Sequence, residues 1–592
     1  MTKYDFILLS GDIDDFLKKL QAVGVVDITR SVKPIDESSE KMFSQAEMLR
    51  KALAVLKGVE TAKPADAKVK NPAAEVLTVV GEKEAMKAQL PQLQREIEER
   101  KPWGIFDPEA TKAVEKCGLK LHFYKAKTSS IDSEWQEKYA LTEISSDGAY
   151  TYFVITTDAE DYSFPLKELP APDVNYTVKE AELESLKASI RQHDDRLAVL
   201  KSYESDIQDD LNRTLSALDL HLANVSGAKA AENHLTVLEG FAPTESETAL
   251  HNMLDNEAVF YLSDKAKEDD NPPIKLKNNR FVSMFEVLTD MYGRPKYDEF
   301  DPTIWISIFF MLFFAFCMGD AGYGLILILL SFALKKKAPK LSPLVMTLGL
   351  ATTVIGLLFH TFFSIDLMTL SWIPDGVKKI MLPATIAGYD GTMVLAILVG
   401  IFHICLAMII KTGQATKTKG FFNSLGTWGW TLLIVGGVVV GGLALIGAID
   451  KEKTKWIVIV IGVLSAMGIF FLNDLHRNPL LNVGSGLWET YNTATGLLGD
   501  ILSYLRLYAL GLAGAKLGEA FNAIGLQALG DGGFGWVFFI LIVVVGHVLN
   551  VAMCVLGAFV HPLRLNFLEF FKNSGYEGSG RKYNPLKENI NN

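Results

Sequence analysis

Between residues 183 and 218, apolar side chains recur at alternating steps of three and four: Leu183, Leu186, Ile190, Leu197, Leu200, Ile207, Leu211 and Leu218. His193, Glu204 and Thr214 stand at the seam positions left over. Such a heptad keeps one stripe of a helix apolar, so it predicts a coiled coil over 177–225. At 1.5 Å per residue that helix is about 70 Å long. A seam needs a partner. Residues 37–60 offer Phe43, Ala46, Leu53 and Leu56, and residues 82–100 offer Met86, Leu90, Leu93 and Ile97, each run charged on its other face. The predicted arrangement is an antiparallel hairpin, with 37–100 running out and 177–225 running back.

The remaining segments of this half fall at the two ends of the hairpin. Residues 101–172 hold a short helical run (Pro108–Cys117) and two strand-like runs (Lys120–Tyr124, Tyr150–Thr156), which predict a distal α/β lobe. Residues 1–35 and 228–285 form a second, near-membrane lobe, with strands at Leu235–Phe241 and Ala258–Leu262. The expectation for residues 1–300 is an α+β domain: a coiled-coil rod with two small α/β lobes.

From residue 301 the period is lost and long apolar runs take over. They predict an all-α membrane domain over 301–592 with eight helices, at about 303–318, 319–334, 342–363, 391–411, 425–448, 455–473, 486–526 and 534–571. The first two abut at Gly319–Gly322 and can also be read as one broken helix. The last two are too long for the hydrocarbon, since about 40 residues of helix span roughly 60 Å, so they must tilt, bend or project.

Charge supports this division. Residues 1–300 carry 54 Asp+Glu against 38 Lys+Arg, a net charge of −16, whereas residues 301–592 carry 15 against 20, a net of +5. A wholly soluble enzyme is excluded. With eight spans and cytoplasmic N- and C-termini, twelve Lys and Arg residues fall on inner segments, Lys335–Lys337 among them, and five on outer ones. This obeys the positive-inside bias of a multi-pass cell-membrane protein. Nucleic acid is not an expected partner, because the soluble half is acidic and has no basic stripe. Cys117, Cys317, Cys405 and Cys554 lie too far apart to form a metal-ligand set. The N-terminal apolar stretch is too short for a signal peptide, and no phosphate loop is present, so neither a cofactor nor ATP chemistry is expected on this chain.

The chemistry of interest is ionic groups within apolar runs. Arg506 lies mid-way along the 486–526 run. A guanidinium there costs several kcal/mol and stays charged, so it suits the attraction of a mobile carboxylate rather than proton relay. Ala509 and Ala513 form a small stripe beside it, and Gly514 and Gly518 a second, which admits close helix approach or ordinary bundle packing. Arg564 on the last run, in His561-Pro-Leu-Arg564, suggests a shared cationic zone. Asp320, His360, Asp366, His403, Glu489, Asp500, Glu519, His547 and His561 are scattered along this half. Each is open to two readings, the lining of an aqueous half-channel or a structural hydrogen-bond partner.

The segment Gly499-Asp500-Ile-Leu-Ser-Tyr-Leu-Arg506-Leu-Tyr-Ala-Leu-Gly-Leu-Ala resembles the hallmark helix of subunit I, or a, of the V-type and archaeal-type rotary ATPases. Phe316-Cys-Met-Gly-Asp320-Ala-Gly-Tyr-Gly324, Tyr292-Gly-Arg-Pro295, Asp301-Pro-Thr303, Pro102-Trp-Gly104, Leu238-Glu-Gly-Phe-Ala-Pro243 and His561-Pro-Leu-Arg564-Leu are similar to further motifs of that family, in order along the whole chain. Its short loops place it with the prokaryotic branch. The resemblance implies a membrane half facing a ring of proteolipid helices, each with one carboxylate, with Arg506 as the essential arginine and Arg564 as a second functional one. Glu489, Asp500, Glu519, His403, His561 and Asp320 are then half-channel candidates. It also implies peripheral-stalk subunits and a central-rotor cap as partners of the soluble half. Eukaryotic relatives carry glutamate where Cys554 stands, histidine at Gly514 and glutamine at Lys516, which leaves the ion path, and the choice of proton or sodium, open. The competing expectation is a stand-alone secondary transporter with a cytosolic regulatory domain, although no internal repeat supports it.

Overall fold

The computed structural model describes the chain except residues 32, 61–68, 106–107, 132, 159–161, 172–173, 258, 370–373, 379–380, 384, 387, 473–478, 530–534 and 589–592. It divides into two compact units: Tyr4–Leu262 with the segment from Pro585, and Met1–Lys3 with Ser263–Asn584.

The first unit opens with a strand, β1 (Thr2–Leu9), whose alternate residues Tyr4, Phe6 and Leu8 are buried. This is the period-2 signature of a half-buried strand. Helix α1 (Ile13–Val23) follows and ends at Gly24, whose left-handed φ of 67° closes the last turn. With β2 (Asp27–Ile28), β6 (Ala228–Ala230), β7 (Leu235–Ala242) and β8 (Phe260–Lys265), β1 forms a sheet ordered β2-β7-β1-β8, with β6 alongside β7. Leu586, far off in sequence, is fully buried in the same core, and its N–H donates to the Val26 carbonyl at 2.8 Å.

Helices α2 (Glu37–Leu56) and α3 (Pro72–Arg100) run before the distal lobe, and α4 (Tyr176–Leu200) and α5 (Glu204–Ser226) after it. Helix α3 packs on α4, and α2 on α5. The seam residues Ile190, Leu197, Leu200, Ile207, Leu211 and Leu218 are buried. The expected uninterrupted helix over 177–225 is broken by a 3₁₀ turn at Lys201–Tyr203. Here the returning chain changes partner from α3 to α2, and the tighter turn re-aims its apolar stripe. Lys201 Nζ donates to the carbonyl of Leu56, the last residue of α2, at 2.8 Å. At the polar seam position His193, one ring nitrogen meets the Ser189 carbonyl at 2.8 Å and the other the Glu82 carboxylate at 3.0 Å. The Ser189 carbonyl first, and then Glu82, hold its pKa above the ordinary 6.5.

The distal lobe is an antiparallel sheet of β3 (Lys120–Lys127), β4 (Leu141–Ser146) and β5 (Tyr150–Thr157), ordered β3-β5-β4. Both faces are covered. Trp103 packs with Phe123, Tyr152 and Val154 on one, and Tyr124, Phe153 and Ile155 pack with Trp135 and Phe164 on the other. Burial on both sides explains why β5 reads as a continuous apolar run rather than an alternating one.

In the second unit, helices occupy each predicted run: α6 (Thr303–Met318), α7 (Ala321–Lys337), α8 (Ser342–Leu358), α9 (Gly391–Lys419), α10 (Leu425–Leu445), α11 (Lys451–Phe470), α12 (Pro479–Leu529) and α13 (Gly535–Arg564). Five, α9 to α13, are long and apolar enough to cross a membrane, and α6 and α8 are shorter apolar helices. The first pair is two helices. Gly319, at φ 57°, ends α6, and the Asp320 side chain caps α7. At Gly356 of α8 an added Cβ would stand 2.1 Å from the Ala321 nitrogen, so only glycine lets α8 seat against this corner. Helix α12, with 51 residues, extends about 75 Å, more than twice the roughly 30 Å hydrocarbon core. The last predicted helix is not regular throughout: after Arg564 a π-helical segment, Leu565–Phe570, precedes a short final turn, Phe571–Ser574. Pro562 lies just before it, and the Asn566 side chain donates to the Pro562 carbonyl at 2.9 Å, taking an acceptor site that the regular ladder uses.

The Tyr292-Gly-Arg-Pro295 motif grips the chain that leaves these helices. Tyr576 donates to the Gly293 carbonyl at 2.7 Å, and Gly580 N–H to the Arg294 carbonyl at 2.8 Å. Arg294 is itself held by Asp290 at 2.7 Å.

Candidate ion-pathway site

Helix α12 is the axis of the site, packed against α6, α9, α11 and α13. Two cavities open along it. One, of about 570 Å³, is lined by Leu507–Leu526 of α12 at positions including Gly511, Ala515, Glu519 and Asn522, and by Asp366 and Asp390. The other, of about 260 Å³, is lined by Glu489, Asn492, Thr493, Gly496 and Asp500 of the same helix, with Lys411, Thr412, Lys572 and Asn573. Arg506 lies in the turn between them. Its guanidinium is partly buried, and its Nη1 is buried with no hydrogen-bond partner among the described residues. The flanking Tyr504 and Leu507 are fully buried and fix this stretch of α12 against the bundle.

Antiparallel packing of α13 on α12 brings three predicted residues together. His561 lies within electrostatic range of both Arg506 and Arg564, and its Nδ1 is buried without a partner among the described residues. Arg564 is exposed at the end of α13, immediately before the π-helical segment. Farther along, a Cβ on Gly514 would stand 2.7 Å from Cys554 Sγ, and one on Gly518 would run into Ser364 and Asn550. The glycines therefore set the close approach of the two helices. Gly514 and Cys554, two of the three departures from the eukaryotic pattern, face each other.

The other predicted residues separate into different environments. Asp500 accepts from Asn573 at 2.8 Å and pairs with Lys572 at 3.3 Å in the smaller cavity, whose wall also includes Glu489. Glu519 pairs with Lys516 at 2.7 Å in the larger one. His403 lines neither cavity. It is fully buried, meets the Tyr504 hydroxyl at 2.9 Å and stacks on Phe570 with ring centroids 4.5 Å apart. Asp320 is buried and its carboxylate accepts four backbone N–H groups: Gly322 at 2.8 Å, Tyr323 at 3.2 Å, Phe363 at 2.9 Å and Ser364 at 2.6 Å. That places it as the pin of the α6–α7 corner. No group of His, Cys, Asp and Glu among the described residues is arranged to hold a metal ion.

Two features escaped sequence reasoning. One is a buried chain in which Asn550 donates to the Tyr323 hydroxyl at 2.8 Å, that hydroxyl meets His547 Nδ1 at 2.8 Å, and His547 Nε2 meets Asn522 at 2.9 Å on the wall of the larger cavity. Their spacing on α13 (His547, Asn550, Cys554) is a helical face, which was the available signal. The other is Glu569, a buried carboxylate on the π-helical segment.

A family model described as the V-type ATPase 116kDa subunit family matches residues 25–370 and 492–588. The chain is 30% identical over 390 residues to an A-type ATP synthase subunit I of Methanocaldococcus jannaschii, covering 60% of this chain and 55% of the relative. It is 27% identical to a V-type ATP synthase subunit I 1 of Treponema pallidum, covering 83% and 82%, and 23% identical to a V-type ATP synthase subunit I of Borreliella burgdorferi, covering 99% of each. It spans about half the length of the archaeal relatives it matches. A crystal structure of the cytoplasmic N-terminal domain of subunit I, homolog of subunit a of V-ATPase, aligns over 44% of this chain and all of its own length, with 16% identity and a TM-score of 0.21. With most of its length matched by one family model, and with relatives in archaea and bacteria that carry the same subunit name, this chain belongs to the V-type ATPase 116kDa subunit family.

Proposed function

We propose that this chain is the static membrane subunit of a V/A-type rotary ATPase, a non-catalytic part that conducts ions while a partner ring turns past it. The observation that carries this reading is the placement of Arg506: a permanent cation whose buried Nη1 has no partner among the described residues, on one helix between two separate cavities. A charge left unpaired inside an apolar bundle is costly unless a partner from outside the chain meets it. A carboxylate on each helix of a proteolipid ring supplies that partner.

In this mechanism the ion, a proton or sodium, enters through one cavity and neutralises a ring carboxylate. It rides the ring through lipid and leaves by the other cavity. Arg506 pairs with the carboxylate in its deionised state and blocks a direct leak between the cavities. Arg564 and His561 extend the cationic zone. The membrane potential supplies about 2.3 kcal/mol per charge per 100 mV. The cavity with Glu489 and Asp500 is assigned to the cytoplasmic side, together with both termini, on the positive-inside distribution of Lys and Arg over eight spans. The paired helices α2–α5 serve as a coiled-coil rod that takes the reaction torque through peripheral stalks, and the near-membrane lobe meets the central-rotor cap.

The test is Arg506→Ala in the assembled complex reconstituted into sealed vesicles. Assembly is expected to persist while ATP-driven ion uptake is abolished. Full uptake by the assembled variant overturns the assignment.

A further inference from the structure

The geometry points to Glu569 as a proton-carrying side chain on the cytoplasmic arm of this pathway, receiving the proton from the ring acid and passing it to water in the Glu489–Asp500 cavity. This inference rests on the reading of the site given above.

Glu569 is 4% exposed, and its Oε2 has no hydrogen-bond partner among the described residues. Buried carboxylates with a free oxygen are uncommon and call for an explanation. Its surroundings supply one. Ser503, one turn before Arg506 on α12, Asp500 and Arg564 all lie within its electrostatic range. Tyr504 lies within the range of both Glu569 and Asp500. Asn573, one turn beyond Glu569, donates from one side chain to the Glu569 carbonyl at 2.6 Å and to the Asp500 carboxylate at 2.8 Å. Glu569 therefore stands between Arg564 and the smaller cavity, and Asn573, which lines that cavity, holds its backbone.

Glu569 also lies on the π-helical segment, and such segments recur at functional positions.

The transfer balances without any other reactant. The O–H bond of the ring acid breaks and an O–H bond forms at Glu569. The ring carboxylate, now an anion, pairs with Arg506. Glu569 then gives its proton to cavity water beside Asp500, and the steps reverse when the ring turns the other way.

The test compares Glu569→Gln, Glu569→Asp and Arg506→Ala in the full complex in sealed vesicles, reading ATP-driven acidification with ATP hydrolysis and subunit content as assembly controls. Glutamine keeps the size and the hydrogen bonds but cannot exchange a proton. Glu569→Gln is expected to lose acidification by about 100-fold while staying assembled, the range typical of a lost proton-transfer group, and Glu569→Asp to recover most of it. If Arg506→Ala abolishes pumping and Glu569→Gln pumps normally, the role of Glu569 is overturned and the reading of the site stands. If Arg506→Ala itself pumps normally, the reading of the site fails. Sodium uptake without acidification by the unmodified complex also overturns the proton-carrying role, leaving the pathway in place.

Discussion

The corner where α6 meets α7 and the face where α12 meets α13 both bury ionic groups among apolar helices, and they treat them in opposite ways. At the corner, the Asp320 carboxylate accepts four backbone N–H groups from two separate segments. At the α12–α13 face, Arg506 Nη1, His561 Nδ1 and Glu569 Oε2 are buried with no partner among the described residues. Burying a polar group without a hydrogen bond costs about 1–3 kcal/mol, and more for a charged one. A chain that satisfies one site fully and leaves the other open has a use for the open one. Ionic side chains thus hold the fold together in one place and wait for a partner in the other.

That contrast breaks if Asp320 proves dispensable. Asp320→Ala leaves four donors, two of them buried, without their acceptor, a loss that approaches the low end of the roughly 5–15 kcal/mol of a typical domain's stability. The variant is expected to fail to accumulate in membranes, whereas Asp320→Asn, which keeps one acceptor oxygen, accumulates and supports pumping. Immunodetection in membrane fractions decides it. Wild-type levels of the alanine variant refute the pinning role, and normal levels with lost pumping in both variants return Asp320 to the ion path.

A smaller effect sharpens the comparison outside the membrane. His193 fills a polar seam position between α3 and α4 and is satisfied on both ring nitrogens. The Ser189 carbonyl and then Glu82 raise its folded pKa above 6.5, so its contribution to stability is complete below that value and is lost as pH rises through the folded pKa. Thermal unfolding of the full-length protein is expected to shift downward between about pH 6 and about pH 8, with the shift reduced in His193→Gln. An unchanged pH dependence in the variant removes His193 from the seam account. Ion pumping is not expected to follow this titration, since a satisfied group holds structure only.

Sequence patterns carried much of this. The apolar runs of the second half foretold the positions of α6–α13, because uninterrupted apolar length is a signal that survives without context. Arg506 stood out for the opposite reason, as a local violation in a helix that otherwise obeys the rule. Glu569 did not. In sequence it sits near Lys572 at the end of a span, where a charge looks interfacial, yet the fold buries it on the π-helical segment. Asp320 was noted as ionic but not as a cap, although an aspartate placed after a glycine and before an apolar run carries that signature. The alternation of Tyr4, Phe6 and Leu8 is legible in the sequence as a half-buried strand. Leu586 lay beyond any local pattern, since its place in the core of the first unit is made by a contact more than 500 residues away along the chain. The 3₁₀ turn at Lys201–Tyr203 is likewise set by where α2 ends, not by the heptad itself.

Arg506 Nη1, buried with no partner among the described residues, is left for a moving acid to meet. The most direct test is a density map of the assembled membrane sector, read at the Arg506 guanidinium. A ring carboxylate is expected within about 4–6 Å, close enough to favour its charged form, with both cavities separated by that contact. A guanidinium at the lipid headgroups, or on a face turned away from the ring, contradicts it.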